Sequence, residues 1–363
     1  MSRCISCNKK ATHKCGDCKA IHYCSEKCGQ SDWINEHQHI CQDISKLMML
    51  IEGKRKAKDG SSSSNDEVAP AKIPRGPIMM ILQKLPVAAV MHTILTNERI
   101  GNFFDDDGNI TRYLRQRPTD EIYDFFSLQL NSPYFERWFR IAIEIFHERN
   151  EIDNIMWRAS INGHTRVVEL LLEDGRADPT AVNNRAIRWA SNNGHTEVVR
   201  LLLGIEGVDP SAQGNGSIIR AGANGHIEVV RLLLDSGRVD PTAPGNGPII
   251  AASEAGRTEV VRLLLNSNRV DPTAQDNYAI RVASQNGHLE VVKLLLEHGA
   301  DPTDQNNGAI RAASQFGRIE VVRLLLEHGA DPTDQQNLSI IAASHGGHLE
   351  VVRLLLGIEG VDP

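Results

Sequence analysis

The sequence predicts a mainly α-helical protein in which a solenoid of stacked helix pairs follows a small cysteine-rich module. Three observations lead to this prediction. A nearly identical phrase recurs throughout residues 151–363, all seven cysteines of the 363-residue chain lie at or before Cys41, and a segment rich in Lys, Ser and Pro separates the two regions. Self-similarity at a fixed period of this length is typical of solenoids.

The cysteine-rich module, which we place at residues 1–50, has the ligands for metal ions. The ligands are Cys4, Cys7, Cys15, Cys18, Cys24, Cys28, His37 and Cys41. Eight such ligands suffice for two tetrahedral Zn²⁺ ions. A module this short cannot bury a large core, so metal binding must supply most of its folding free energy, about 10 kcal/mol or more. His39 is the alternative to His37, whereas His13 and His22 do not fit the spacing and are interpreted as surface residues.

A disulfide-rich secreted module is the competing interpretation of the cysteines. The odd cysteine count and the cysteine-free remainder of the chain favour zinc in a reducing compartment instead. We therefore expect a cytoplasmic protein, with the nucleus as an alternative location.

The segment YCSEKCGQSDWINEHQHIC, residues 23–41, resembles the MYND zinc finger. The resemblance implies interleaved sites: one ion is held by Cys4, Cys7, Cys24 and Cys28, and the other by Cys15, Cys18, His37 and Cys41. It also implies a shallow cleft for a proline-containing peptide, with Trp33 as its apolar wall. Gln30 lies one position later than the glutamine of the family's cleft. Alternatively, Trp33 only packs the core of a structural finger.

Two segments connect the finger to the repeats. Residues 51–77 have no apolar periodicity and are predicted to be a disordered linker, in which Lys54, Arg55, Lys56 and Lys58 form a candidate nuclear import signal. Residues 78–150 have apolar positions at helical spacing, so we predict a helical segment whose last helix caps the array. Within it, residues 82–95, LQKLPVAAVMHTIL, faintly resemble the opening of an F-box.

The repeats are marked by a glycine with a period of about 31 and then 30 residues. These glycines are Gly163, Gly194, Gly225, Gly256, Gly287, Gly317 and Gly347. Each unit is predicted to form two helices, for example over Asn277–Gly287 and His288–Gly299. The asparagine ten residues before the glycine is predicted to be an N-cap, and the glycine to end the first helix with a positive φ. An Asp-Pro pair marks the loop to the next unit.

The phrase GHLEVVKLLLEHGAD, residues 287–301, resembles the ankyrin repeat, and the pattern contains seven units. The units are shorter than the roughly 33 residues of that family. The resemblance implies protein binding through positions that vary between units. These positions are occupied by Trp157, Arg158, Arg188, Trp189, Arg220, Tyr278, Phe316 and Leu338. Aromatic and Arg side chains are common binding anchors, although Trp157 and Trp189 could instead only fill the seam between the first units.

The sequence contains no signature of catalysis. A Walker loop, a dinucleotide glycine fingerprint and a nucleophile elbow are absent, and the recurring histidines belong to turns. MYND fingers also accompany SET methyltransferases, but the space before the repeats is too short for that domain. The net charge of −7 does not favour nucleic acid as a partner, and no stretch is apolar enough to cross a bilayer.

We therefore predict a non-enzymatic adaptor: the zinc finger binds a proline-containing peptide and the array binds a second protein. Two alternatives remain open at this point. One is a ubiquitin-ligase substrate receptor that uses residues 82–95, and the other is a nuclear transcriptional cofactor that uses the basic segment.

Overall fold

The computed structural model of the chain describes residues 107–128, 135–267 and 269–362, together with two short strands. Strands β1 (His13–Lys14) and β2 (His22–Tyr23) pair antiparallel, with His13 opposite Tyr23. The chain divides into two compact domains, residues 1–155 and 156–363. The predicted linker at residues 51–77 lies outside the described residues.

Three described helices lie wholly in the first domain: α1 (Asp107–Leu114), α2 (Thr119–Leu128) and α3 (Phe135–Glu148). Helix α3 buries Phe135, Trp138, Phe139, Ala142, Ile143, Ile145 and Phe146, which recur at helical spacing. The Phe139 ring lies 5.4 Å from that of Phe126, edge to face, and 5.3 Å from that of Phe135, stacked. Such ring pairs contribute about 1 kcal/mol beyond the area they bury. Aromatic packing therefore joins α2 to α3.

Seven helix pairs follow among the described residues. They are α4 (Ile152–Asn162) with α5 (Thr165–Asp174), α6 (Ala181–Asn192) with α7 (Thr196–Leu203), α8 (Ala212–Asn224) with α9 (Ile227–Asp235), α10 (Gly247–Glu254) with α11 (Thr258–Asn266), α12 (Ala274–Asn286) with α13 (Leu289–Glu297), α14 (Asp304–Gln315) with α15 (Ile319–Glu327), and α16 (Asp334–His345) with α17 (Leu349–Leu356). Like helices of successive pairs from α6 onward pack against one another. The predicted α-solenoid is thus confirmed.

The recurring glycine is required where one unit meets the next. Gly163 ends its helix with a φ of 71°, and a Cβ added there would lie 2.4 Å from Nδ1 of His195 in the following unit. His195 Nε2 lies 2.9 Å from the carbonyl oxygen of Ile161, which is one of the helix-terminal carbonyls that lack an intrahelical partner. The recurring histidine therefore links two units, in agreement with a structural rather than a catalytic role.

Two units replace this histidine with arginine and keep the same bond. Arg257 Nε donates to the carbonyl of Ala223 at 2.9 Å, and Arg318 Nε donates to that of Gln285 at 3.0 Å. Either histidine or arginine at this position therefore supplies a side-chain N–H donor for the carbonyl at the end of the preceding first helix.

The second helices supply the apolar interior of the stack. In α13, the side chains of Val291, Val292, Leu294 and Leu295 are buried and that of Leu296 is half-buried. The predicted apolar stripe is therefore present and faces the neighbouring helices. At roughly 1.5–3 kcal/mol for each fully buried side chain, this stripe is a large source of stability within a unit.

The recurring asparagine does not act as predicted. Asn307 ends a run of three left-handed residues, with φ values of 52° at Gln305, 52° at Asn306 and 56° at Asn307. Its Oδ1 accepts from the N–H of Asp331 at 2.7 Å, and its Nδ2 donates to Asp334 at 2.9 Å. Both partners belong to the next unit. The asparagine is therefore a buried link between units, and the N-cap prediction was wrong about its role.

Other units repeat this link with small variations. Asn184 and Asn277 accept from the N–H of Asp209 at 2.8 Å and of Asp301 at 2.7 Å, and Asn246 accepts from that of Asp271 at 3.3 Å. Asn215 instead donates to the carbonyl of Ala243. Asn246 occupies the N-cap position of α10, as predicted, but its side chain makes no capping hydrogen bond to that helix.

The Asp-Pro loops are closed by their aspartates, as the turn chemistry predicts. Asp331 Oδ1 accepts from the N–H of Thr333 at 2.8 Å and from its hydroxyl at 2.7 Å. The hydroxyl bond, followed by the backbone bond, lowers the pKa of Asp331 below its ordinary value, and the bonds of Thr242 do the same for the pKa of Asp240.

Replacing Asn307 tests the link between units. We expect Asn307→Ala to lower the free energy of unfolding by about 1–2 kcal/mol more than Asn306→Ala, because it removes a buried side chain and leaves a part-buried N–H without its acceptor. Asn306 is the matched control, since it shares the left-handed backbone but has an exposed side chain. Urea denaturation measures the free energies. Hydrogen exchange should also become faster at the Asp331 amide, and equal effects of both variants would contradict the assignment.

Candidate protein-binding surface

The side chains that vary between units share one face of the first helices. We define the variable face as the residues five, six and nine positions before the recurring glycine. Residues three and four apart lie on one side of a helix, and each first helix from α6 to α16 packs against the next. The position six before the glycine holds Trp157, Arg188, Ile219, Ile250, Arg281, Arg311 and Ile341. The variable faces of successive units therefore lie side by side.

Aromatic and Arg side chains meet at the amino-terminal end of the variable face. The guanidinium of Arg185 lies 3.4 Å from the centre of the Trp157 ring, and that of Arg220 lies 5.5 Å from the centre of the Trp189 ring. All four side chains are half-buried. Each contact is a cation–π interaction of about 0.5–2 kcal/mol.

Arg188 lies beside these residues and is held by the left-handed residues near the start of α6. Its Nε donates to the carbonyl of Asn183 at 2.9 Å, and its Nη2 donates to that of Val182 at 3.2 Å. Burial, followed by the charges of Arg220 and Arg185, lowers the pKa of Arg188 below its ordinary value. Arg188 therefore lies close enough to Arg185 and Arg220 to be repelled by both charges.

Two donors in this region are buried without a hydrogen-bond partner. They are Trp157 Nε1 and Arg220 Nη1. The described ion pairs of the array do not include Arg185, Arg188 or Arg220; other Arg side chains of the array, such as Arg200, do pair with Glu residues of their own helices. A buried donor without an acceptor costs free energy.

The carboxyl-terminal end of the variable face has a different character. Tyr278 is 40% exposed and lies 5.0 Å from the guanidinium of Arg281, measured to the ring centre. Leu338 is half-buried. Phe316 is 42% exposed but lies directly before Gly317, at the end of α14 and off the variable face.

The structure therefore brings together only some of the predicted binding residues. One region contains Trp157, Arg188, Trp189 and Arg220. Arg158, which follows Trp157 in the first repeat, is half-buried on α4. Tyr278, Phe316 and Leu338 belong to later units. Sequence reasoning missed Arg185, although it occupies the same repeat position as Tyr278 and Leu338 and could have been found by the same comparison.

The predicted finger residues lie outside the described residues. This holds for all eight zinc ligands and for Gln30 and Trp33. In the part of the chain that the structure describes, no group of three or more His, Cys, Asp or Glu residues could hold a metal ion. A search of the same residues found no helix both long and apolar enough to cross a membrane.

Two family models match the chain. The ankyrin-repeat model matches residues 140–214, 187–276, 218–306 and 281–363, and the MYND-finger model matches residues 4–41. Among solved structures, the crystal structure of the human ASB11 ankyrin repeat domain is 23% identical, with a TM-score of 0.49. The match covers 55% of this chain and 96% of that one. The ankyrin match spans more than half of the sequence, so the chain belongs to the ankyrin-repeat family and carries a MYND finger at its amino-terminal end.

Proposed function

We propose that this protein is a non-enzymatic adaptor that joins two protein partners. The ankyrin repeats at residues 151–363 bind one partner through the variable face, and the MYND finger at residues 1–50 binds a proline-containing peptide of another. The variable face is the observation that carries the proposal. Its side chains change between units on a constant framework, and they include half-buried Trp and Arg residues, the types most often found as binding anchors.

The proposed contacts on the array follow the variable positions. They are Trp157, Arg158, Arg188, Trp189, Arg220, Tyr278 and Leu338, to which we add Arg185. Phe316, which is exposed off the variable face, is proposed as a further contact. On the finger, Trp33 and Gln30 are the proposed peptide contacts.

The finger is proposed to hold two zinc ions. MYND fingers bind zinc, and the thiolate and imidazole donors of residues 4–41 match the ligands that zinc prefers. The proposed ligands of one ion are Cys4, Cys7, Cys24 and Cys28. Those of the other are Cys15, Cys18, His37 and Cys41. Zinc would stabilise the fold of the finger and hold its peptide-binding surface in place, without a catalytic role.

The segments between finger and repeats set the distance between the two partners. We propose that residues 51–77 are a linker and that residues 78–150 are a helical segment ending in the cap of the array. A linker that connects two binding modules raises the effective concentration of one partner near the other. A reducing compartment, the cytoplasm or the nucleus, suits the free thiols of such a finger.

The ligase-receptor and nuclear-cofactor alternatives rest on sequence alone. Residues 82–95 and the basic residues from Lys54 to Lys58 lie outside the described residues. Co-purification with ligase scaffold proteins would favour the first alternative, whereas exclusion from the nucleus would contradict the second.

Zinc content is the first test of the finger. We expect native mass spectrometry of the full-length protein to show two zinc ions, and Cys24→Ser to lose at least one, because a tetrahedral site with three ligands binds zinc more weakly. His39→Ala is the matched control and should retain both ions. A wild-type protein with a single ion, or a Cys24→Ser variant with unchanged metal content, would contradict the proposed ligand set.

Partner capture from cell extract tests the adaptor itself. We expect Cys24→Ser to lose one set of partners, because the finger loses metal, and the double variant Trp189→Ala, Tyr278→Ala to lose a different set. Quantitative mass spectrometry of the captured proteins measures both losses. Arg262→Ala is the control, since Arg262 is exposed on a second helix away from the variable face.

The adaptor proposal is overturned if both variants retain every partner of the wild-type protein. In that case residues 78–150 become the candidate binding element, and the ligase-receptor alternative is favoured.

A further inference from the structure

Five half-buried residues form a distinct region at the amino-terminal end of the variable face. We call them the Arg–Trp cluster: Trp157, Arg185, Arg188, Trp189 and Arg220. They come from the first helices of three successive units, α4, α6 and α8. A binding role for this cluster rests on the proposed protein-binding function of the array. The side chains of the cluster then indicate which chemical groups the partner would carry.

The cluster concentrates positive charge in a chain whose net charge is −7. Some other Arg residues of the array have acidic neighbours: Arg200 lies 3.4 Å from Glu197, and Arg231 lies 3.7 Å from Glu228. No such pair is described for the three Arg residues of the cluster. The interacting charges that affect the pKa of Arg188 are both cations, Arg220 and Arg185. The described residues therefore give the cluster no ion pair that would offset the repulsion on Arg188.

A purely structural role does not account for the cluster. The guanidinium groups of Arg185 and Arg220 lie over the Trp157 and Trp189 rings. Such a cation–π contact supplies no hydrogen-bond acceptor for the guanidinium N–H groups, which prefer carboxylate or phosphate oxygens. Arg220 Nη1 and Trp157 Nε1 are both buried without an acceptor. The charge of the half-buried guanidinium groups thus suits an anion with oxygen acceptors.

The neighbouring units indicate which side chains a ligand would carry next to the anion. Beyond the cluster, the variable face continues with Ile219 on α8 and Ile250 on α10, at the repeat position that Arg188 occupies in α6. Both isoleucines are half-buried. A ligand lying along the face would meet cations first and then apolar side chains.

We propose that the Arg–Trp cluster binds an acidic segment of a partner protein, whose Asp or Glu carboxylates accept hydrogen bonds from the half-buried side chains of Arg188 and Arg220. Apolar side chains next in that segment contact Ile219 and Ile250. A peptide suits this surface better than a nucleic acid. Single-stranded nucleic acids need open aromatic faces on which bases stack, whereas guanidinium groups lie over the Trp157 and Trp189 rings.

Fluorescence anisotropy with the full-length protein tests this proposal. The probe is a short labelled peptide rich in Glu and Asp with two Leu residues, and the comparison peptide has Gln and Asn in place of the acidic residues. A single-stranded DNA of equal charge is the third probe. The variants are Arg188→Gln and Arg220→Gln, with Arg311→Gln as the matched control.

The control variant is closely matched. Arg311 occupies the repeat position of Arg188 and, like it, donates to the carbonyl five residues earlier, Asn306 for Arg311 and Asn183 for Arg188. It has no Trp neighbour at the corresponding positions of its own unit. Arg220 has no described hydrogen bond to lose, so Arg220→Gln tests binding even if Arg188→Gln destabilises the fold.

We expect the acidic peptide to bind and the neutral one not to. Arg188→Gln and Arg220→Gln should each weaken binding about tenfold, as for a lost charged hydrogen bond, while Arg311→Gln changes it less than about twofold. Equal losses in all three variants, no binding of the acidic peptide, or tighter binding of the DNA would each overturn the proposal. If the array still captures its partner from extract when the acidic peptide fails, the adaptor function stands and only the acidic specificity is wrong.

Discussion

The structure of the array depends on the contact between neighbouring units. A single helix pair cannot bury its own apolar face, so stability comes from stacking each pair on the next. Polar links accompany this apolar packing at two places. The His or Arg that follows the turn bonds to the end of the preceding first helix, as His195 does with Ile161, and the buried Asn bonds to the loop of the following unit, as Asn307 does with Asp331.

These links leave a defined set of positions free to vary. The glycine is fixed because a side chain there would overlap the next unit, and the Val and Leu positions of the second helices are fixed by burial. The residues five, six and nine positions before the glycine have neither constraint in most units. Binding specificity can therefore change along the stack without loss of the fold. In this chain the variable positions hold Arg and Trp residues at one end of the stack, and Tyr278 and Leu338 toward the other end.

Much of this architecture could be predicted from the sequence, because the helices, the positive φ of Gly163 and the turn position of His195 follow from local rules. The role of Asn307 could not, since its partner Asp331 lies 24 residues away and an Asn before a helix normally indicates an N-cap. The run of three left-handed residues that includes Val182 was equally hidden, because β-branched residues rarely adopt that backbone. The contact between Arg185 and Trp157 depends on how two units pack, which no single repeat encodes.

On this account, partners bind to the first helices of the array. The second helices and the links between units keep the positions of these first helices constant. Hydrogen exchange of the full-length protein, with and without the partner that depends on Trp189 and Tyr278, tests this most directly. We predict slower exchange in the first helices, including the left-handed residues near their starts, and unchanged exchange in the second helices and in residues 1–50. Protection confined to the second helices, or to the finger, would contradict the account.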